Sequence, residues 1–193
     1  MSFEPSHEVE IKFQIHSPIS HLTTKLQSSG FRLITERTHE LNTLYDSPGN
    51  PLQSRGALLR IRQYGSKWTL TYKDKVASEG RHKVRREIET RVEDGHAFAA
   101  ILAALGFSPT FMYEKFRSEW ADAAGHVVID ETPIGNFGEI EGPPGWIDQT
   151  ALKLDISERE YIRDSYAELF AGWKERNSSP AQHMTFESAG TKP

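Results

Sequence analysis

Charged and apolar side chains alternate with a period of two along most strand-like segments of this 193-residue chain. The first such segment covers residues 7–15 and reads HEVEIKFQI. Its charged face and its apolar face are formed by Glu8, Glu10 and Lys12 and by Val9, Ile11 and Phe13, respectively. Successive side chains of a strand point to opposite faces, so the pattern predicts a strand with one polar wall. The fold must therefore separate charges from apolar groups strand by strand.

The same alternation recurs later in the chain and is dominated by ionisable side chains. The further charged faces carry Arg60, Arg62, Thr69, Thr71, Lys73, Glu87, Glu89, Arg91, Lys115, Arg117, Val128, Asp130, Glu139 and Glu141. A solvated sheet face would also alternate, but such a face usually mixes in uncharged polar residues. A sheet this long tends to close into a barrel, and the apolar faces need helices to cover them. We therefore expect an α+β, mainly antiparallel closed barrel with helices packed outside and charges inside.

The remaining patterns place the other elements. Strands are predicted at 7–15, 32–37, 40–45, 57–64, 67–73, 83–92, 110–121, 127–131 and 138–141. Helices are predicted from Ser17-Pro18 to Gly30 and at 94–105, 146–154 and 164–176, with a turn cluster at 46–51 and a polar loop at 74–82. Ser17 is the expected N-cap of the first helix, with Pro18 at its first position. We expect residues 1–176 to form the domain and residues 177–193 to form a flexible tail.

Composition excludes several classes of protein. The chain has no cysteine, so disulfides and thiolate metal sites are excluded. A net charge of −4 argues against broad nucleic-acid binding. The sequence contains no run of about 18 apolar residues, so it predicts no membrane-spanning helix. The N-terminal sequence lacks the basic start and apolar stretch of a signal peptide. We expect a cytoplasmic protein, as a monomer or homodimer, without a membrane or nucleic-acid partner.

The N-terminal strand resembles a known signature. Glu8-Val9-Glu10-Ile11-Lys12 is similar to the Glu-x-Glu-x-Lys motif of the CYTH superfamily, the triphosphate tunnel metalloenzymes. The similarity continues in order through Leu59–Arg62, Leu70–Lys73, Arg86–Glu89, Lys115–Arg117, Val128–Asp130 and Gly138–Gly142, so that it covers residues 7–170. It implies an eight-stranded antiparallel barrel forming a tunnel, and an enzyme that acts on a small-molecule triphosphate with Mg²⁺ or Mn²⁺.

The resemblance also implies roles for individual residues. Phosphate oxygens would be held by Lys12, Arg60, Arg62, Lys73, Lys115 and Arg117. The metal would be held by Glu8, Glu10, Asp130, Glu139 and Glu141, with Glu87 and Glu89 in support, and Glu8, Glu10 and Lys12 would be catalytic. Independent chemistry agrees with this division, because Arg and Lys suit phosphate oxygens and hard Mg²⁺ prefers carboxylates.

Three functions stay open at this level. The leading one is hydrolysis of a triphosphate, either inorganic tripolyphosphate or an organic compound such as thiamine triphosphate. The first alternative is a class IV adenylate cyclase, which would need an adenine pocket that the sequence does not identify. The second is a non-catalytic module that binds polyphosphate or nucleotide. The basic run of Lys83, Arg85 and Arg86 fits either a solvated strand end or the tunnel mouth.

Overall fold

The computed structural model describes residues 6–76 and 80–192. The strands in these ranges are β1 (Ser6–Ile15), β2 (Arg32–Asp46), β3 (Leu58–Tyr64), β4 (Lys67–Lys75), β5 (Lys83–Val92), β6 (Ser108–Ala121), β7 (His126–Thr132) and β8 (Gly135–Glu141). The helices are α1 (Ile19–Ser28), α2 (Pro51–Ser54), α3 (Gly95–Ala104), α4 (Pro144–Lys153), α5 (Tyr166–Asn177) and α6 (Phe186–Ala189), with a 3₁₀ turn at Glu158–Glu160. Among these helices, none combines the length and the hydropathy that crossing a lipid bilayer requires.

The strands form a closed antiparallel barrel in the order β1-β5-β4-β3-β2-β6-β7-β8. Closure depends on β1, which pairs with β5 through Ser6–Glu10 and with β8 through Glu10–Ile15. The two halves of one strand thus join two neighbours, and the sheet keeps no free edge there. The predicted fold class, a closed eight-stranded barrel with helices outside, is confirmed.

Apolar side chains lie outside the barrel, beneath the helices. Ile11 of β1 and Ile140 of β8 are almost completely buried, and they belong to a cluster that includes Leu26 of α1 and Ile147 of α4. On the other side, Phe98 and Leu102 of α3 cover Ile61, Leu59 and Leu70 of β3 and β4. Burial of these faces is the main favourable contribution to folding, and it turns the alternate, charged residues inward.

One glycine on the outer face allows close packing. Gly138 of β8 is paired with Phe13 of β1, and a Cβ atom at Gly138 would lie 2.1 Å from the Phe13 ring. No side chain can be accommodated at that distance without moving the ring. Gly138 therefore lets an aromatic side chain lie flat across the strand pair that closes the barrel.

One end of the barrel is covered by α5. Tyr113 of β6 and Phe137 of β8 continue the inward-facing rows of their strands, because each lies two residues from an inward-facing charged residue. Both pack with Tyr166 and Phe170 of α5. Ser165 begins α5 in a capping box with Glu168, in which each side chain accepts a bond from a backbone N–H near the helix start. Aromatic rings thus cover this end of the lumen.

Several local details differ from the sequence predictions. The two strands predicted at 32–37 and 40–45 are one strand, β2, because register shifts against β6 absorb the irregular stretch between Leu33 and Thr38. The first helix begins at Ile19 after Pro18, without a side-chain cap. The turn cluster at 46–51 leads into α2, whose backbone N–H groups at Leu52 and Gln53 donate to Asp46. Part of the polar loop at 74–82, residues 77–79, lies outside the described residues.

The C-terminal segment also differs from the expected flexible tail. Met184 is fully buried, and its backbone exchanges hydrogen bonds with Met112 and Glu114 of β6. Phe186 begins α6 and packs against Phe116. The segment is polar overall, but these two isolated apolar side chains fill space against β6. Two isolated apolar residues leave no periodic pattern in the sequence. The composition of this segment therefore did not predict that it packs against β6.

The apolar covering of the barrel gives a stability prediction. We expect Ile140→Ala to lower the free energy of unfolding by about 3 kcal/mol, because it leaves a cavity in a fully buried cluster. Leu152→Ala is the control, since Leu152 is 74% exposed and the change should stay within roughly 0.5 kcal/mol. Urea denaturation followed by circular dichroism measures both. Equal losses in the two variants would contradict an apolar core outside the barrel.

Candidate active site in the barrel lumen

The barrel encloses a cavity of about 250 Å³ whose wall is mostly charged. Its basic side chains are Lys12, Arg60, Arg62, Lys73, Lys83, Arg85, Lys115 and Arg117. Its acidic side chains are Glu8, Glu10, Glu87, Glu89, Glu139 and Glu141. All six predicted phosphate-binding residues are therefore brought together, and so are all predicted acidic residues except Asp130. The charges converge on an enclosed lumen, as the alternation of the sequence predicted.

Basic side chains dominate the wall formed by β2, β3 and β6, and Glu40 lies among them. The Glu40 carboxylate is 3.4 Å from Lys115 Nζ and 4.0 Å from Arg62 Nη1, and the residue is 1% exposed. Burial alone would raise the pKa of Glu40, but the cationic groups of Lys115, Arg117, Arg62 and Arg60 lower it well below its ordinary value. Glu40 is thus a permanent counter-ion for this wall.

Sequence reasoning missed Glu40 although a signal was present. Glu40 and Asn42 are spaced by two within β2, and Glu40 lies opposite Lys115 in the ladder with β6. Residues directly opposite in an antiparallel pair face the same side, so Glu40 must face the lumen if Lys115 does. That inference required the β2–β6 register, which local sequence does not supply.

Asp130 lies behind the basic wall and does not line the cavity. It is fully buried, and it accepts hydrogen bonds from Lys115 Nζ at 2.8 Å, Arg117 Nε and Nη2 at 2.6 Å and Tyr166 Oη at 2.6 Å. Both carboxylate oxygens are therefore engaged. Arg117 Nη2 also donates to Glu139 at 2.6 Å, so one guanidinium group links Asp130 to one of the other predicted metal ligands. The contacts of Asp130 orient Lys115 and Arg117.

Acidic side chains dominate the opposite wall, formed by β1, β5 and β8, and lysines neutralise part of it. Lys73 Nζ lies 2.5 Å from Glu8 and 3.1 Å from Glu87, while Lys83 Nζ lies 2.9 Å from Glu10. These ammonium groups are point charges on flexible stems, so they can leave their carboxylates when other partners compete. Two other carboxylates of this wall are paired with arginines across the lumen, Glu89 with Arg62 at 3.1 Å and Glu139 with Arg117 at 2.6 Å.

Glu141 is the acidic residue with the least compensation. It makes no ion pair within residues 6–76 and 80–192, and it lies opposite Glu10 in the β1–β8 ladder. Burial raises the pKa of Glu141 to about 7, and the negative charges of Glu8, Glu10 and Glu139 add to this effect. Glu8, Glu10, Glu139 and Glu141 all line this part of the lumen, and their oxygens are a donor set that suits a hard divalent cation.

The carboxylates of this wall do not already surround a common point. In the described part of the chain, no group of three or more acidic or histidine side chains has the spacing of a formed metal site. The lysine contacts explain this, because Glu8 and Glu10 are each drawn toward an ammonium group. The donor chemistry fits a metal, and binding would require these carboxylates to exchange partners.

Tyr166 connects the two walls at the covered end of the lumen. Lys12 Nζ lies 4.4 Å and Lys115 Nζ 4.7 Å from the centre of its ring, which are cation–π distances. Lys12 Nζ also donates to the backbone carbonyl of Asp164, just before α5. The start of α5 thus positions two lysines that the sequence predicted as phosphate ligands. Its sequence pattern indicated only an apolar helix face, so Tyr166 was not predicted.

The basic run at the start of β5 is divided between the two faces of the barrel. Lys83 and Arg85 line the cavity, whereas Arg86 pairs with Asp74 at 2.5 Å on the outside, where its side chain is 46% exposed. Lys83 and Arg85 therefore lie at the lumen, whereas Arg86 lies on the solvated outer face, as the alternation of side chains along a strand requires.

Comparison with known proteins identifies similar chains. The CYTH domain family description matches residues 6–165. A protein of Methanocaldococcus jannaschii named as a candidate adenylate cyclase is 29% identical over 177 residues, covering 84% of this chain and 97% of its own.

Solved structures share the fold. A candidate adenylate cyclase from Vibrio parahaemolyticus superimposes with a TM-score of 0.75 at 18% identity, covering 87% of this chain and 99% of the other. A protein from Hippeastrum, described as an adenylyl cyclase candidate with a dominant triphosphatase activity, gives 0.61 at 22% identity, with 88% and 96% covered. At these identities the likeness concerns the fold alone.

The electrostatics of Glu141 give a pH prediction for the metal-free protein. The pKa of Glu141 is 4.5 in the unfolded chain and is raised to about 7 in the folded protein. Protonation of Glu141 therefore stabilises the folded protein fully below pH 4.5, and this stabilisation is lost as the pH rises through 7. Glu141→Gln stays neutral, so we expect it to exceed the wild type in unfolding free energy at pH 8. Because solvent screens the exposed Glu141 side chain, we expect a difference of roughly 1 kcal/mol at pH 8 and a smaller one near pH 5.

Urea denaturation in EDTA at pH 5, 6.5 and 8 tests this expectation. Glu36→Gln is the control, because Glu36 is exposed on β2 and should show no pH-dependent difference from the wild type. A Glu141→Gln variant whose difference from the wild type is the same at all three pH values would show that Glu141 does not titrate in this range.

Proposed function

The chain belongs to the CYTH domain family, and from this premise we propose that it is a divalent-metal-dependent enzyme that hydrolyses a small-molecule triphosphate in its barrel lumen. The observation that carries the proposal is the division of one enclosed cavity into a basic wall and an acidic wall. Buried charges of both signs are costly to maintain without a ligand, so their number argues for function.

The two walls suit the two parts of a metal–triphosphate complex. Arg60, Arg62 and Arg117 would donate N–H groups to phosphate oxygens, for which Arg62 would exchange its contact with Glu89. The lysines would add point charges. Glu8, Glu10, Glu139 and Glu141 would hold Mg²⁺ or Mn²⁺ on the opposite side. When bound, the cation supplies charge neutralisation at the phosphate oxygens and lowers the pKa of water.

Exchange of partners couples the two binding events. In the structure Lys73 and Lys83 are held by Glu8, Glu87 and Glu10. A triphosphate attracts these lysines toward its oxygens, which releases the carboxylates for the cation. Glu8 and Glu10 would then hold the cation, and Lys73 and Lys83 would remain free to bind phosphate. We therefore expect the metal and the triphosphate to bind together more tightly than either binds alone.

The chain's own residues would orient the substrate and limit access of solvent. Asp130 and Tyr166 fix Lys115 and Arg117, so that these groups need no reorganisation when phosphate arrives. The aromatic cluster of α5 covers one end of the lumen. In hydrolysis, a water oxygen would bond to the terminal phosphorus while the bond from that phosphorus to its bridging oxygen breaks, releasing orthophosphate.

Adenylate cyclase activity is the second candidate. It is favoured by the candidate-cyclase name of the relative that shares 29% identity with this chain. The same lumen would hold ATP, but the ribose 3′-hydroxyl would attack the α-phosphorus and pyrophosphate would leave. The products separate the two reactions, because hydrolysis of ATP gives ADP and phosphate. A non-catalytic binding module is the third candidate, and the set of partly uncompensated carboxylates argues against it.

Removal of one carboxylate tests the proposed function. We expect Glu10→Gln to lower kcat/KM for tripolyphosphate and for ATP by about a hundredfold or more, because the cation loses a charged ligand. Glu131→Gln is the matched control, since Glu131 lies on the outer face of β7 and pairs with Arg37 at 2.8 Å.

Product analysis completes the experiment. Wild-type protein is incubated with each triphosphate and with Mg²⁺ or Mn²⁺, and orthophosphate, pyrophosphate and cyclic AMP are quantified. If cyclic AMP and pyrophosphate are the main products, the protein is an adenylate cyclase and the proposed hydrolase function is rejected. Metal-independent binding of tripolyphosphate with no product from any compound would favour the binding module.

A further inference from the structure

Glu40 of β2 interacts with the basic wall through its charge and not through hydrogen bonds to the cationic groups. Its carboxylate lies 3.4 Å from Lys115 Nζ and 4.0 Å from Arg62 Nη1, but the hydrogen bond from Lys115 goes to Asp130. Among residues 6–76 and 80–192, Asn42 Nδ2 donates to Oε1 of Glu40 at 2.9 Å, and Oε2 accepts no hydrogen bond. Glu40 therefore adds a negative charge to the wall without orienting its cationic groups by hydrogen bonds.

A carboxylate of this kind is costly to bury. Glu40 is 1% exposed, and a buried acceptor that lacks a hydrogen-bond donor carries the full cost of losing its water. The surrounding cationic groups lower the pKa of Glu40 well below its ordinary value, so the side chain stays ionised at neutral pH. An uncharged glutamine of the same shape would avoid this cost. The charge itself is therefore the feature of Glu40 that needs an explanation.

Glu40 differs from the carboxylates that face the basic wall across the lumen. Glu89 pairs with Arg62 at 3.1 Å and Glu139 pairs with Arg117 at 2.6 Å, and both acidic residues line the cavity. An anion that enters the lumen can compete with these carboxylates for the two arginines. Glu40 does not line the cavity, so an anion that binds there leaves the charge of Glu40 in place.

Asp130 is the other carboxylate behind the basic wall, and its charge cannot be separated from its hydrogen bonds. It accepts from Lys115, Arg117 and Tyr166. A substitution at Asp130 would therefore change the orientation of the wall together with its charge. Glu40 is the position at which the fixed charge can be changed while these hydrogen bonds stay.

A fixed negative charge behind the basic wall lowers the positive potential that an anion meets in the lumen. An orthophosphate ion released from a triphosphate would be attracted by the cationic groups of this wall, and its departure would be slow if that attraction were not reduced. A metal–triphosphate complex depends less on the basic wall, because its cation also contacts the acidic wall. The charge of Glu40 thus weakens the binding of a metal-free anion more than that of the metal complex.

We propose that Glu40 is a specificity-determining residue, whose fixed charge weakens the binding of metal-free phosphate anions so that orthophosphate leaves and metal-bound triphosphate is preferred. The inference rests on the proposed function, in which the basic wall holds phosphate. Glu40 acts on the anion through the potential of the lumen and does not touch it.

The uncharged isostere of Glu40 tests the inference. Glu40→Gln keeps an oxygen that can accept from Asn42 Nδ2, so the polar contact within β2 is preserved. We expect orthophosphate and pyrophosphate to bind about tenfold or more tightly, because charges several ångströms apart interact strongly at an effective dielectric constant of about 20. A purely structural counter-ion would give the opposite sign, since loosened lysine and arginine side chains bind anions more weakly.

Three further variants separate charge from structure. Glu131→Gln removes the same charge from the outer face of β7, where Glu131 pairs with Arg37, and should leave the affinities within about twofold of the wild type. Glu40→Asp keeps the charge and should stay within about threefold of the wild type. Asn42→Asp adds a carboxylate at a fully buried position beside Glu40, and we expect it to weaken anion binding by about tenfold.

Titration calorimetry in EDTA gives the dissociation constants for orthophosphate, pyrophosphate and tripolyphosphate, and circular dichroism checks the fold of each variant. Tighter binding by Glu40→Gln supports the proposal. Unchanged or weaker binding would overturn it, as would failure of both the wild type and Glu40→Gln to bind any of the three anions. If Glu40→Gln does not fold, Asn42→Asp decides: weaker binding supports the proposal, and unchanged or tighter binding overturns it.

Turnover separates this inference from the proposed function. With tripolyphosphate and Mg²⁺ or Mn²⁺, we expect orthophosphate to inhibit Glu40→Gln at about tenfold lower concentration than the wild type. Tighter anion binding by Glu40→Gln without turnover of any triphosphate would reject the hydrolase and keep the role of Glu40. Turnover by both proteins with equal inhibition by orthophosphate would keep the hydrolase and reject the role of Glu40.

Discussion

The cost of burying charge controls this structure. Eight basic and six acidic side chains share one lumen, and each would be expensive to hold away from water without a compensating group. Compensation is built in on the basic side, where Glu40 and Asp130 are almost completely buried among Arg and Lys side chains. The basic wall can therefore exist in the free protein, with its guanidinium groups already oriented.

The outer architecture follows from this arrangement of charge. A strand residue that faces the lumen fixes both of its neighbours on the outside, so the charged rows of β1 and β8 require the apolar rows of Ile11 and Ile140. Those rows need cover, and α1 and α4 supply it. At the end of the barrel the inward row becomes aromatic at Tyr113 and Phe137, where α5 packs. The transition from charged to aromatic residues marks where the lumen ends.

Sequence alone predicted the features that depend on local periodicity. The alternation around Glu10, Arg62 and Glu139 predicted a charged lumen, and the apolar stripes predicted where helices cover the barrel. Features that depend on register between distant strands were not predicted. Glu40 was missed because its role appears only opposite Lys115. The contacts of Asp130 with Lys115, Arg117 and Tyr166 likewise depend on packing between distant segments. A pattern gives the face of a residue, but not its depth or its partner.

The two walls differ in how their charges are balanced, and this difference bears on ligand binding. In the acidic wall, lysines and arginines neutralise most carboxylates: Lys73 and Lys83 pair with Glu8, Glu87 and Glu10, and Arg62 and Arg117 pair with Glu89 and Glu139. Glu141 has no ion pair among the described residues, and its pKa is raised to about 7. Repulsion between like charges is therefore greater in the acidic wall of the free protein than in the basic wall. A cation bound at the acidic wall would relieve more of this repulsion than an anion bound at the basic wall. Since the same lysines can serve carboxylate or phosphate, occupation of one wall changes the affinity of the other. A cavity balanced in this way favours a metal–triphosphate complex over either component alone.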